Sequence, residues 1–181
     1  MTNIKIENIV AYTQVFDLLD IKLLKEKIPN SKYDSSEFDG ISIKYERPKL
    51  AILIIANGKV VCTGAKTMND VEKAINKIVK QIHDIGFEIK KDYKINIENV
   101  IASFNFKKEM NLSSIVSGLL LQNVEYHPEE FPGLIHHIDD LGVVLMLFSS
   151  GKLVCTGAKS INDANSAIKI MKEELLSIGV L

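Results

Sequence analysis

The chain is written twice, and this constrains its fold more than any other feature. Ile4-Lys5-Ile6-Glu7-Asn8-Ile9-Val10-Ala11 returns as Ile95-Asn96-Ile97-Glu98-Asn99-Val100-Ile101-Ala102, 91 residues later. Tyr33, Glu37, Phe38 and Gly40 return as Tyr126, Glu130, Phe131 and Gly133, at an offset of 93. The nine residues GKVVCTGAK at 58–66 return as GKLVCTGAK at 151–159, with eight of the nine identical. Asn69-Asp70 returns as Asn162-Asp163, and Gly86 as Gly179. A drift of two residues across the whole unit means that each copy is a complete structural module. No proline- or glycine-rich linker separates them. The expectation is two repeats, 1–91 and 92–181, forming one continuous body with pseudo-twofold symmetry.

Each copy predicts the same elements. An alternating strand at about 4–11 is followed by a short helix at about 20–28, ending near Pro29. Strands follow at about 31–35, 38–46, 49–56 and 59–65. A long helix at about 70–85 closes the unit, with Val71, Ala74, Ile75, Ile78, Val79, Ile82 and Ile85 on one stripe. Asn69 reads as its N-cap with Glu72 as the capping-box partner, and Gly86 as its C-cap. The second copy places the matching helix at about 163–178. Turns at Asn57-Gly58 and Ser150-Gly151 predict hairpins, so the sheet is mostly antiparallel. The sum is an α+β fold with about ten strands and four helices.

Composition fits this and narrows the chemistry. The chain has 181 residues, 46% of them apolar and 25% charged, which is globular. The apolar run Leu50 to Ala56 is far short of a membrane span. The N-terminus has no apolar segment followed by a small-residue cleavage site, so export is not expected. Two cysteines, Cys62 and Cys155, sit in the same repeated context and are expected to be reduced and buried, as fillers under the helices. The net charge is −1, but residues 1–91 carry 15 Lys/Arg against 12 Asp/Glu (+3), and residues 92–181 carry 7 against 11 (−4). Arg47 is the single arginine, so bidentate reading of guanine is nearly out of reach.

Pleat parity then exposes a problem. In both Leu50–Ala56 and Val60–Thr63, alternate residues on both faces are apolar. Four helices cover one face of ten strands, and the other face is left apolar and open. Burial of both faces by loops or a dimer partner is the bland alternative. Two features favour a function. Asn8 and Asn99 sit at matching points in apolar strands, where an amide needs a partner. Lys59, Lys66, Lys152 and Lys159 flank the strand ends in symmetric sets. Amides and hydroxyls within an apolar, lysine-rimmed sheet suit the shallow minor groove of A·T-rich DNA, where both strands present acceptors.

The motifs IENIVA, SKYDSSEF and GKVVCTGAK, with IENVIA, VEYHPEEFPGL and GKLVCTGAK in the second copy, resemble the TATA-box-binding protein family in its archaeal form. The resemblance spans nearly the whole chain. It implies a saddle with a curved antiparallel sheet and four helices on the convex face. It implies that Asn8 and Asn99 donate to minor-groove acceptors at the centre and that Thr63 and Thr156 add hydroxyl contacts. Val10, Leu53, Val61, Ile101, Met146 and Val154 would pack on sugars and base edges. Phe131 and Phe148 would form the wedge at one end, with Phe38 and Ile55 at the other. Position 55 is Ile where the family has Phe, so that wedge stays apolar but loses a ring. Lys44 stands where arginine is frequent, with His137 at the matching place. A histidine there is largely uncharged at neutral pH unless a phosphate favours the protonated ring. The resemblance further implies transcription factor B as partner, through His127, Glu129 and Glu130, recruitment of RNA polymerase, and a cytoplasmic, nucleoid-associated protein. No catalysis, metal or cofactor is implied.

Other motifs read more plainly. Gly58 to Thr67 has the wrong glycine spacing for a phosphate loop, and β-branched strand residues fill it. His136 and His137 are adjacent on a strand, so they point to opposite faces and cannot chelate one metal together. Asp139-Asp140 and Glu129-Glu130 read as solvated charge. A small-molecule or peptide-binding module on a helix-covered sheet is the rival from another class, and a free-state homodimer through the open face stays open.

Overall fold

The computed structural model describes residues 4–33, 39–90, 92–119 and 123–181. Its elements run β1 (Lys5–Gln14), α1 (Ile21–Lys27), β2 (Lys32–Tyr33), β3 (Gly40–Glu46), β4 (Lys49–Ile55), β5 (Lys59–Ala65) and α2 (Met68–Ile85) in the first copy. The second copy gives β6 (Asn96–Asn105), α3 (Leu112–Leu119), β7 (Val124–Glu125), β8 (Gly133–Ile138), β9 (Val143–Phe148), β10 (Lys152–Ala158) and α4 (Ile161–Ser177), with a 3-10 turn at Asp139–Leu141. The strand order is β2-β3-β4-β5-β1 in the first copy and β6-β10-β9-β8-β7 in the second. The described pairings are antiparallel. The expected α+β class, ten strands and four helices are therefore present among the described residues. The chain divides into two compact units, Asn8–Glu98, and Met1–Glu7 with Asn99–Leu181. No described helix is long and apolar enough to cross a membrane.

Each unit is built by alternation. In the first, Ile9 and Ala11 of β1, Ile41 and Ile43 of β3, Ile52 and Ile54 of β4, and Val60 and Cys62 of β5 are buried. They meet the stripe Val71, Ile75, Ile78, Val79 and Ile82 of α2, which packs on β5. In the second, Val100 and Ala102, Leu134, Leu145 and Leu147, and Leu153 and Cys155 form the matching layer. Ala164, Ala167, Ile168, Met171 and Leu175 of α4 cover it, packing on β9 and β10. Burying each large aliphatic side chain contributes about 1.5–3 kcal/mol, so these layers supply the main drive for folding. Burial pushes both cysteine thiols up to about 11, so Cys62 and Cys155 are protonated fillers at neutral pH.

The helix start differs from the expectation. The N-cap of α2 is Thr67, not Asn69. The Thr67 hydroxyl accepts from the Asp70 N–H at 3.1 Å and donates to its carboxylate at 2.7 Å. Thr-x-x-Asp thus fulfils the cap two residues before the Asn-x-x-Glu reading, and Asp70 adds a negative charge where the helix dipole favours one. Ser160 does the same for α4, accepting from the Asp163 N–H at 3.0 Å. Gly86 caps the end of α2 with a φ of 116°, as expected. Replacing Thr67 or Ser160 by Ala is expected to cost about 1 kcal/mol each, read from the urea midpoint at constant m-value, whereas Asn69→Ala should cost far less.

Candidate nucleic-acid interface

The face opposite the helices carries the polar signature twice. The β1–β5 register runs Ile9↔Ala65 and then Ala11↔Cys62, so Thr63 and Gly64 lie opposite Val10 alone. The β6–β10 register runs Val100↔Ala158 and Ala102↔Cys155, so Thr156 and Gly157 lie opposite Ile101 alone. Each is a β-bulge, and its glycine adopts a left-handed φ, 91° at Gly64 and 90° at Gly157. A Cβ at Gly157 would come within 2.6 Å of the Gly142 carbonyl, so a side chain is excluded there.

The bulge aims a backbone donor at the asparagine. The Gly64 N–H donates to Asn8 Oδ1 at 2.7 Å, and the Gly157 N–H to Asn99 Oδ1 at 2.8 Å. A backbone N–H can only donate, which fixes which end of each carboxamide is oxygen. Each Nδ2 then makes a long contact of 3.4 Å to a threonine hydroxyl, Thr63 or Thr156. At that distance the bond is weak, so most donor capacity of the NH2 remains for a ligand. The threonine hydroxyl rotates and is able to donate outward. Each unit therefore presents an amide donor of fixed direction beside an adaptable hydroxyl. Neither asparagine is exposed enough to reorient freely.

Around these donors the face is apolar and half-buried. In the first unit it carries Val10, Leu53, Ile55 and Val61. In the second it carries Ile101, Met146, Phe148 and Val154, with Met146 opposite Val154 in the β9–β10 pairing. Phe131 and Phe148 meet edge to face, centroids 5.7 Å apart at 63°. Gly133, opposite Phe148 in the pairing, makes room for them, since a Cβ there would lie 2.7 Å from the Phe131 ring. Gly40 stands opposite Ile55 in the first unit. Phe38 lies outside the described residues.

The rim is uneven. Lys44 is exposed on β3 and His137 is half-exposed on β8. Lys59 lies over the Tyr12 ring, 4.2 Å from its centroid. Ser103 replaces that tyrosine in the second copy, and Lys152 is exposed. Lys66 and Lys159 are exposed just beyond β5 and β10. The exposed residues His127, Glu129 and Glu130 form a separate turn, in which the His127 carbonyl accepts from the Glu130 and Phe131 N–H groups at 2.9 Å each. That turn and the Phe131 backbone thus share one carbonyl acceptor.

Two features escaped sequence reasoning. The bulged glycines are one, although a glycine inside the β-branched run of GKVVCTGAK is the usual sign of a bulge. The other is a buried pair: His136, 3% exposed, faces Glu174 of α4 with Nδ1 and Oε2 3.3 Å apart and outside hydrogen-bonding geometry. Its positions in the first copy hold Ile43 and Gln81. Among the described residues, no group of three or more His, Cys, Asp or Glu side chains could hold a metal ion.

A sheet face of matched donors set in apolar strands defines a binding protein that works by contact. The chain matches the family model "Transcription factor TFIID (or TATA-binding protein, TBP)" twice, over residues 3–85 and 94–178. The TATA-box-binding protein of Archaeoglobus fulgidus is 40% identical over 178 residues, covering 98% of this chain and 97% of that protein. That of Thermococcus sibiricus is 42% identical over 183 residues, covering 100% and 98%. The solved structure of Methanococcus jannaschii TBP superposes with a TM-score of 0.85 at 38% identity, covering 97% of this chain and 99% of that one. The chain belongs to the TATA-binding protein family, whose members are DNA-binding transcription factors and not enzymes.

Burial, and then His137, push the His136 imidazole below its ordinary value of 6.5, while Asp139 opposes them. The fold therefore favours the neutral ring, and this stability is full above pH 6.5 and is lost as pH falls below it. Burial raises the Glu174 carboxyl, whose ionised form is disfavoured as pH rises above its ordinary 4.5. The double change His136→Ile with Glu174→Gln writes the first copy's residues into the second. It is expected to be at least as stable as the wild type at pH 7 and to lack the wild type's loss between pH 6.5 and 5. Thermal melts at pH 5, 6 and 7 check both points.

Proposed function

We propose that the chain binds the TATA box of promoters through the minor groove, bends it, and recruits transcription factor B and with it RNA polymerase. The observation that carries this reading is the matched pair of amides, Asn8 beside Thr63 and Asn99 beside Thr156, each amide locked donor-outward by a bulged glycine. Outward donors need acceptors. The minor groove of A·T pairs offers only adenine N3 and thymine O2, whereas a G·C pair adds the guanine amino group, a donor that opposes the amide NH2. The geometry therefore selects for A·T at the centre and against guanine. The names of the relatives, TATA-box-binding proteins, support the same target.

The repeats 1–91 and 92–181 would each supply half of the contact. Val10, Leu53, Val61, Ile101, Met146 and Val154 would cover sugars and base edges, with Phe131–Phe148 wedged at one end and Phe38 with Ile55 at the other. Lys44, Lys59, Lys66, His137, Lys152 and Lys159 would face phosphates. Apolar side chains inserted from the minor groove partly unstack and kink a duplex, a mode for which TATA-binding proteins are a worked example. Smooth bending of a site costs of order 1–6 kcal/mol, least at flexible TA steps. Burying a few hundred Å² of apolar face at about 25 cal/mol per Å² offsets that cost.

Fluorescence anisotropy on a TATA duplex and a G·C-rich control, across a salt series, tests the proposal. Tighter binding to TATA with a salt-dependent affinity is expected, and equal affinity for both duplexes rejects the reading. The isosteric pair Asn8→Asp with Asn99→Asp keeps the acceptor for glycine but replaces the NH2 by a second oxygen. It is expected to weaken TATA binding roughly tenfold or more and to favour guanine at the central steps.

Transcription factor B would dock on the turn of His127, Glu129 and Glu130, where the −4 charge of the second half suits a basic surface. Glu129→Lys with Glu130→Lys should abolish the supershift by that factor and leave the binary DNA complex intact. Retention of the supershift would place the partner elsewhere.

A further inference from the structure

The repeat makes the two rims comparable position by position, and the comparison reveals a difference in charge rather than in shape. We propose that His137, with Glu125 beside it, is a proton-controlled phosphate contact that makes the second copy's grip on DNA depend on pH. This rests on the DNA-binding role proposed above.

Placement comes from the ladder. Asn99 on β6 contacts Thr156 on β10, Thr156 pairs with Val144 on β9, and Val144 pairs with His137 on β8. In the first unit Asn8 contacts Thr63, Thr63 pairs with Ala51, and Ala51 pairs with Lys44. Both rim residues therefore lie three strand spacings from the base-reading amide, about 14 Å. Both share the amide's face at its outer rim, and a cationic side chain at the rim of a DNA-binding face meets phosphate oxygens, the commonest partners of lysine and arginine on DNA. Lys44 is a permanent cation at that place, and His137 is a titratable one.

The neighbouring edge strand repeats the contrast. Lys32 on β2 pairs with Ser42, and Glu125 on β7 pairs with Ile135, the residue 93 positions later. The first rim thus carries two lysines, Lys32 and Lys44, both exposed. The second carries Glu125 and His137, with Nε2 and Oε1 3.8 Å apart. The remaining groups around His137 do not replace the missing cation. Val144 on β9 is apolar, Asp139 and Asp140 follow at the end of β8, and His136 points to the other face toward Glu174 of α4.

The consequence follows from linkage. With a neutral imidazole, the Glu125 carboxylate faces the phosphates uncompensated and repels them. A proton on His137 cancels that charge and supplies a donor. An approaching phosphate favours the same protonated form, so DNA binding takes up a proton and affinity rises as pH falls.

The test measures TATA-duplex affinity of the whole chain at pH 5.5, 6.5 and 7.5 at constant ionic strength, with a salt series at each pH. His137→Gln fixes the neutral state and His137→Lys installs the first copy's charge. The wild type should bind about three- to tenfold more weakly at pH 7.5 than at 5.5, and its salt slope should fall by up to roughly one unit. His137→Lys should hold the tighter affinity and steeper slope throughout, and His137→Gln the weaker. His83 and His127 remain unchanged in all three proteins, so their contribution cancels; His136 senses His137, and repeating the series on a His136→Ile, Glu174→Gln background removes that coupling. A wild-type pH dependence equal to that of His137→Gln overturns the rim assignment while leaving TATA binding in place. Absence of a TATA preference at every pH overturns the DNA-binding role itself, and this inference with it.

Discussion

The hydrogen bond from a bulged glycine to an asparagine oxygen is the constraint on which the rest of the site depends. A free carboxamide offers either end to a ligand and so reads donors and acceptors alike. In this chain the Gly64 and Gly157 N–H groups occupy the oxygen, at 2.7 and 2.8 Å. What remains outward is a donor. The bulge that makes this possible needs a left-handed backbone at the glycine, and it holds the threonine next to the amide. One extra residue in β5 and one in β10 thus give an otherwise apolar strand a donor of fixed direction. The same solution occurs in both copies, with φ values of 91° and 90°.

The sheet is economical because its two faces do different work along the same strands. Cys62 is buried under α2 while Thr63 beside it faces outward, and Cys155 and Thr156 repeat the arrangement. A fully polar outer face would read bases but would have no reason to exclude water from them. An apolar one with a few fixed donors gains from dehydration and spends its specificity at two points. In the proposed reading, the apolar area around the asparagines supplies the free energy that bends the duplex, and the amides decide which duplex is bent.

Much of this was legible in the sequence because duplication is a strong signal. The repeated GKVVCTGAK and GKLVCTGAK marked β5 and β10, pleat parity put Cys62 and Thr63 on opposite faces, and the recurrence of Asn8 as Asn99 singled out the amides. The helix cap was misplaced because Thr67 and Asn69 are both good cap residues, and only the bond to Asp70 decides between them. The orientation of the carboxamides was not legible either. A glycine in a β-branched run signals a bulge locally, but not which residue of a strand more than fifty positions away the bulged N–H will meet. The His136–Glu174 contact is equally long-range, and within the repeat it is a departure from Ile43 and Gln81 and not a motif.

Duplication alone would give a site indifferent to its orientation on DNA. The departures from symmetry all fall outside the central clamp. Ile55 stands where the second copy has Phe148, Tyr12 where it has Ser103, and Lys32 and Lys44 where it has Glu125 and His137. The aromatic pair and the acidic turn at Glu129 and Glu130 lie in one copy, and most of the permanent cationic charge lies in the other. In the proposed function, base reading therefore stays twofold while wedging and phosphate attraction do not. Since A·T and T·A pairs look nearly alike from the minor groove, direct reading by the clamps assigns a promoter little direction. In the proposed function, direction has to come from these unequal ends and from the partner that the acidic turn attracts.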